Sequence, residues 1–127
     1  MSAPKDIKIL VADDFSMMRK IVINILAELG YKNVLEAANG EEAFEVLTSQ
    51  GDVGFLITDW HMPKMNGLEL LHKVRSNPSL SKLPVLMITA EALQENIVAA
   101  IKAGVNNFIV KPFDVQIMEE KIKKIFG

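Results

Sequence analysis

The chain has no cysteine, which excludes a disulfide framework and thiolate metal sites and suits a reducing compartment. It also lacks any apolar run near the roughly 18–20 residues that a membrane-spanning helix needs. Its N-terminal stretch is no secretory signal, because Asp6, Lys8, Asp13 and Asp14 interrupt the apolar residues there. A large charge of one sign is missing too: the net charge is −2, so nothing draws the chain electrostatically toward nucleic acid. Internal repeats, low-complexity tracts and linkers are absent. What is present is 50% hydrophobic and 24% charged residues in 127, ordinary values for one globular core. The expectation is a single cytoplasmic domain over 1–127, monomeric, with no attached output domain and no nucleic-acid or membrane partner.

Short apolar runs alternate with helical stripes. The strand-like runs cover 7–12, 33–37, 53–58, 85–88 and 108–110. They are nearly continuous in apolar residues, as strands buried on both faces are. Between them, Phe15, Met18, Val22, Ile25, Leu26 and Leu29 recur at helical spacing, and Gly30 fits the position just past a helix end. Residues 40–47 read as a helix with Ala43, Phe44 and Leu47 on one face. Leu68, Leu70, Leu71 and Val74 form a stripe that ends before Asn77-Pro78. Residues 91–103 form a helix stopped by Gly104, and Val115, Met118, Ile122, Ile125 and Phe126 mark a C-terminal helix. This pattern predicts an α/β fold, a doubly wound (βα)5 with a five-stranded parallel sheet and helices on both sides.

Polar residues sit where the runs end: Asp13 and Asp14 after the first, Asp59 after the third, Thr89 after the fourth and Lys111 after the last. In a parallel sheet those ends share one edge, and open α/β sheets bind ligands in the crevice there. Carboxylates within about 5 Å of one another repel by roughly 3 kcal/mol per pair at an effective dielectric near 20. Such a cluster persists where a cation benefits from it. Oxygen donors suit a hard divalent ion, and Mg²⁺ takes few carboxylates plus several waters at about 2.1 Å. Asp13, Asp14 and Asp59 are therefore candidate Mg²⁺ ligands. Bound Mg²⁺ commonly bridges carboxylate and phosphoryl oxygens. Lys111 would then neutralise a second phosphoryl oxygen and Thr89 would donate a hydrogen bond to a third. A carboxylate also accepts a phosphoryl group, giving an aspartyl phosphate. Each residue alone has a structural reading: Asp14, for one, would cap the helix that begins near Phe15. The joint pattern on four strands is what points to a site.

Four stretches carry a family resemblance: Val11-Ala12-Asp13-Asp14-Phe15-Ser16, Thr58-Asp59-Trp60-His61-Met62-Pro63-Lys64-Met65-Asn66-Gly67, Leu86-Met87-Ile88-Thr89-Ala90-Glu91 and Val110-Lys111-Pro112-Phe113. With them the chain resembles, over essentially its whole length, the receiver domains of two-component response regulators, and among those the stand-alone chemotaxis regulators. The resemblance implies a flavodoxin-like sheet with strand order 2-1-3-4-5. It implies that Asp59 is the phosphoacceptor, charged from a phosphohistidine on a partner histidine kinase. Asp14 and Asp59 would hold Mg²⁺ through their side chains and His61 through its backbone carbonyl, with Asp13 acting through a metal-bound water. Lys111 would contact the acyl phosphate, and Thr89 would close toward it on activation. A cis Lys111-Pro112 bond and a positive φ at Gly67 are further implications. The switch would couple Thr89 to Phe108. It would change the face formed by the 91–103 helix, the Phe108 strand and the C-terminal helix, which in the family binds the flagellar motor switch. A phosphatase is a further partner of such proteins.

Departures from the family pattern bear on output and lifetime. Phe108 stands where tyrosine is usual, so no hydroxyl can stabilise the switched ring; plain core packing is its other reading. Leu93 and Gln94 replace frequent lysines. His61 replaces a usual asparagine, and its side chain and that of Glu91 are expected to flank the path of the hydrolytic water and so set the phosphorylated lifetime. His72 reads as a solvated helix residue, and the methionines as core filler, with Met62 and Met65 held in the loop after Asp59. The leading reading is a phosphorylation-dependent binding switch, not a turnover enzyme. A phosphate sink or regulator of a non-motility target is an alternative. An Mg²⁺-dependent aspartyl phosphohydrolase is another, weakened because its usual second carboxylate falls at His61. A flavin-binding protein would need a phosphate-cradling loop where Asp13 and Asp14 repel phosphate.

Overall fold

A computed structural model describes residues 3–90 and 94–127, the side chain of Gln94 excepted. The elements alternate as β1 (Ile9–Ala12), α1 (Ser16–Glu28), β2 (Val34–Ala37), α2 (Gly40–Gln50), β3 (Phe55–Asp59), α3 (Gly67–Ser76), β4 (Val85–Thr89), α4 (Gln94–Lys102), β5 (Asn107–Val110) and α5 (Val115–Phe126). The sheet order is β2-β1-β3-β4-β5, with every pairing parallel. This is the expected doubly wound (βα)5 sheet.

The period-2 alternation of a strand divides its side chains between two cores. Ile9 and Val11, Phe55 and Ile57, Leu86 and Ile88, and Ile109 pack with Val22, Ile25 and Leu26 of α1 and Met118 and Ile122 of α5. Leu10, Ala12, Leu56 and Met87 pack on the other face against α2, α3 and α4, through Ala43, Leu47, Leu70, Leu71, Val74 and Ala100. Every residue of β1, β3 and β4 is buried, which is why their runs read as unbroken apolar stretches. No described helix is long and apolar enough to cross a membrane.

Element ends differ from the sequence reading in instructive ways. Strand β1 starts at Ile9, not at 7, because the Ile7 N–H is taken by the Pro4 carbonyl at 3.1 Å in an N-terminal turn. Strand β3 runs to Asp59 itself, which registers with Ile88, so the acidic residue is the last rung of the sheet. Helix α2 continues past 47 to Gln50 and ends on Gly51 at φ 73°. Gly30 (φ 96°) and Gly104 (φ 94°) follow α1 and α4 in the left-handed conformation, as expected. The expected start of the fourth helix, at 91, lies outside the described residues. The Lys111-Pro112 bond is cis. Gly67 is a correction: its φ is not positive, and the left-handed residue of that loop is Lys64 at φ 67°. Glycine is needed there for space, since a Cβ would lie 2.2 Å from the Asp59 carbonyl oxygen and 2.8 Å from Met87 Sδ.

Candidate functional site

The parallel ladder carries the polar residues to one edge. The Asp13 N–H donates to the Ala37 carbonyl at 3.1 Å, that of Trp60 to Ile88 at 3.0 Å and that of Lys111 to Thr89 at 2.9 Å. One carboxylate oxygen each from Asp13, Asp14 and Asp59 lies within 4.8 Å of the others. Lys111 Nζ stands 3.5 Å from Asp59 Oδ2. Asp59 is 5% exposed and Asp13 2%, whereas Asp14 is exposed. Asp59 Oδ1 accepts the Trp60 N–H at 2.8 Å. Asp14 does not cap α1: the cap position is Phe15, with no side-chain cap, and Asp13 Oδ1 accepts the Phe15 N–H at 3.0 Å. Asp13 Oδ2 is the one buried side-chain polar atom without a hydrogen-bond partner among the described residues. Burial pushes the carboxyls of both Asp13 and Asp59 above the ordinary range, and nearby carboxylates push further, against the opposing pull of Lys111 and a backbone N–H. Three carboxylates, one of them Asp13 with an unpartnered buried oxygen, fit a hard divalent cation such as Mg²⁺.

The segment after Asp59 is pinned to its surroundings. The Gly67 N–H donates to the Trp60 carbonyl at 2.8 Å, and the Gly40 N–H to the Met65 carbonyl at 3.0 Å. Asn66 and Glu69 form a reciprocal capping box at 2.8 and 3.0 Å that starts α3. Met62 and Met65 pack against the core, as expected. His61 is exposed and lines an open groove with Asp14, Met62 and Asn66 beside the carboxylates. Glu91 and Leu93 lie outside the described residues.

Thr89 ends β4, 6% exposed. By alternation Asp13, Asp59 and Lys111 continue the α1/α5 face, while Thr89 follows Met87 onto the α4 face. There Thr89, Met87, Trp60, Ala100 and Phe108 line a small, largely apolar cavity. Phe108 registers beside Met87, is half-buried against that core, and carries Lys121 Nζ at 5.5 Å from its ring centroid.

Residues 9–123 match the response regulator receiver domain family. The chain belongs to that family. It is 51% identical over 120 residues to the chemotaxis protein CheY1 of Helicobacter pylori, covering 94% of this chain and 97% of that one. It is 50% identical to a CheY homolog of Campylobacter jejuni, covering 94% and 92%. Among solved structures, the chemotaxis protein CheY4 of Vibrio cholerae superposes with a TM-score of 0.86 at 29% identity, covering 94% of this chain and 98% of that one. A receiver protein of Pseudomonas putida gives 0.85 at 28% identity, covering 96% and 99%. The chain is thus a CheY-like receiver, of a family of signalling regulators rather than turnover enzymes.

One residue touching this receiver's pocket was not singled out from sequence. Arg19, in the first turns of α1, donates from Nη1 to the Asp13 carbonyl at 2.6 Å and from Nε to Glu36 Oε1 at 2.8 Å. Its only signal is a cation six residues after an aspartate, which is too common to stand out.

The raised carboxyls make a stability prediction for the metal-free receiver. The folded chain holds the Asp13 and Asp59 protons more tightly than the unfolded chain does. That contribution is full below the ordinary value of 3.8 and is lost as pH rises through the raised values. Asp52, held low by its hydrogen bond from Lys8, works in the opposite sense, so the comparison must be made against a variant. With a chelator at neutral pH, Asp13→Asn is expected to be about 1–2 kcal/mol more stable than the parent, the gap closing toward about pH 4. The amide keeps an acceptor for the Phe15 N–H. Chemical denaturation across pH checks this, and an equal or lower stability at neutral pH defeats it.

Proposed function

We propose that this receiver is a cytoplasmic, phosphorylation-activated switch that takes a phosphoryl group on Asp59 from a CheA-like histidine kinase, with Mg²⁺ as cofactor, and then binds a flagellar motor switch protein. The observation that carries the reading is Asp59: a nearly buried carboxylate at the sheet edge, with two acidic neighbours and the Lys111 ammonium converging on it. In the transfer, a carboxylate oxygen of Asp59 forms a bond to phosphorus as the P–N bond of the phosphohistidine breaks. The electron pair returns to the imidazole, which takes a proton from solvent. Asp14, Asp59 and the His61 carbonyl would hold Mg²⁺, with Asp13 acting through a bound water; the ion supplies charge neutralisation at the phosphoryl oxygens. Lys111 turns from the carboxylate to the new phosphoryl group. His61 and Glu91 flank the approach of water and set how long the acyl phosphate lasts, with or without a phosphatase.

Phosphorylation replaces one negative charge with nearly two and adds acceptor oxygens. Thr89 moves toward them and leaves room in the cavity it shares with Phe108, so the ring turns inward and the outer surface changes shape. Lacking a hydroxyl, Phe108 does this by packing alone. Exposed Val98 and Ile101 on α4 and Ile117 on α5 support that face as the docking surface. Likeness to chemotaxis proteins at 50–51% identity favours a motor target over a phosphate sink.

The test uses Trp60, the single tryptophan, whose backbone N–H donates to Asp59 Oδ1. Mg²⁺ plus beryllofluoride, a phosphoryl mimic, is expected to change its fluorescence; a parent protein that does not respond defeats the reading. Output is checked separately. Analogue-bound protein should capture the flagellar motor switch protein at least about tenfold better than free protein, the shift that about 1.4 kcal/mol of differential affinity gives. Equal capture points to the phosphate sink or another target.

A further inference from the structure

We propose that Arg19 and Glu36 form a positioning bracket that holds the Asp13–Asp14 peptide in the orientation the cation needs; this rests on the metal-site reading above. Asp13 is held through both peptides that flank it, the first by β2 and the second, the Asp13–Asp14 peptide, by Arg19 of α1. Its N–H donates to the Ala37 carbonyl at 3.1 Å, and its carbonyl accepts Arg19 Nη1 at 2.6 Å. Arg19 is in turn fixed to Glu36 of β2, whose Cα partner in the sheet is Val11 of β1. The Arg19 side chain is only 16% exposed and makes two directed bonds from one planar fork, an arrangement lysine cannot copy. As an ion pair with a half-exposed glutamate it has little stability to offer. Its distinctive contact is the carbonyl that joins two of the three clustered carboxylates.

That peptide needs holding. In the metal-free receiver the carboxylates repel one another, and exposed Asp14 is the one free to swing outward. Mg²⁺ tolerates little departure from octahedral geometry, so a ligand that must first be pulled back binds it weakly. Arg19 acts through backbone geometry and not through its charge. Its fork bonds the Asp13 carbonyl and Glu36, not a carboxylate of the cluster.

The experiment titrates the full chain with Mg²⁺, read by Trp60 fluorescence, and records thermal unfolding with chelator and with saturating Mg²⁺. Loss of an outer partner of a metal ligand typically weakens binding about 10–100-fold. Arg19→Gln is expected at about tenfold, Arg19→Lys close to it, and Glu36→Gln at a few-fold, each with a smaller Mg²⁺-induced rise in Tm. A merely structural role would lower Tm equally with and without metal and leave the Mg²⁺ affinity at the parent value; that result overturns the proposal. Parent-like affinity in Arg19→Lys overturns it as well, since charge alone would then suffice. A parent that ignores Mg²⁺ by both readouts overturns the metal-site reading and this proposal together. A responsive parent with unaffected variants overturns the bracket alone.

Discussion

Asp59→Asn is expected to abolish the Trp60 response to Mg²⁺ plus beryllofluoride and to stop the protein from taking up a phosphoryl group from a kinase. The substitution is nearly isosteric. An asparagine Oδ1 still accepts the Trp60 N–H, which sits at 2.8 Å in the parent, so the β3 end and the loop behind it keep their anchor. What disappears is the charge that, on the proposed reading, would attack phosphorus or bind beryllium, together with the partner of Lys111. Because Asp59 is nearly buried and its carboxyl is raised by burial, the amide also removes a cost of the metal-free fold. The variant should therefore be at least as stable as the parent with chelator, which separates loss of function from loss of structure. Fluorescence titration, thermal unfolding and intact-mass analysis after kinase treatment make the three checks. An Asp59→Asn protein that still answers beryllofluoride would place the acceptor elsewhere and sink the assignment.

The sheet was legible because its three central strands are buried on both faces, leaving nearly unbroken apolar runs of the kind a covered parallel sheet needs. The gathering of Asp13, Asp14, Asp59 and Lys111 at one edge follows from where those runs end. What escaped depends on tertiary distance or on which way a peptide faces. Asp13 and Asp14 are adjacent and chemically identical, yet one is buried with an unpartnered oxygen and the other is exposed. Alternation puts them on opposite faces but does not say which of the two is covered, since both lie just past the last residue of β1. The alternative reading of Asp14 as a helix cap fell for the same reason: Asp13 is the residue whose carboxylate accepts the N–H of Phe15. Arg19 was invisible because its partner is a carbonyl oxygen, which carries no residue identity. Gly67 misled in an instructive way. A glycine in a loop answers either to a left-handed backbone or to a neighbour too close for a Cβ, and the chain alone does not say which. Here the strain sits on Lys64 and the crowding on Gly67.

That crowding gives Gly67→Ala a large expected loss of stability. The added Cβ would fall 2.2 Å from the Asp59 carbonyl oxygen and 3.1 Å from its carbonyl carbon, both backbone atoms that cannot rotate away. Met87 Sδ, at 2.8 Å, could shift, but it is part of the cavity wall beside Thr89 and Phe108. Moving the loop instead would stretch the bond from the Gly67 N–H to the Trp60 carbonyl, now 2.8 Å. Overpacking of this kind costs about 3 kcal/mol or more, only partly offset by the better helix propensity of alanine at the start of α3. For a domain of this size that corresponds to a fall in Tm of about 10 °C. Gly51→Ala is the control: nothing lies within 4 Å of its Cβ, so only the φ of 73° opposes the change, at about 1 kcal/mol. The two variants should also part in function. Below their melting transitions, Gly51→Ala should bind beryllofluoride as the parent does, because it lies at the end of α2 away from the sheet edge. Gly67→Ala should bind it several-fold more weakly, because relief of the clash displaces the backbone that carries Asp59, the proposed acceptor. Thermal unfolding and Trp60 titration decide both points. A Gly67→Ala protein as stable as its parent would mean that the loop yields easily and that Asp59 is not held by it.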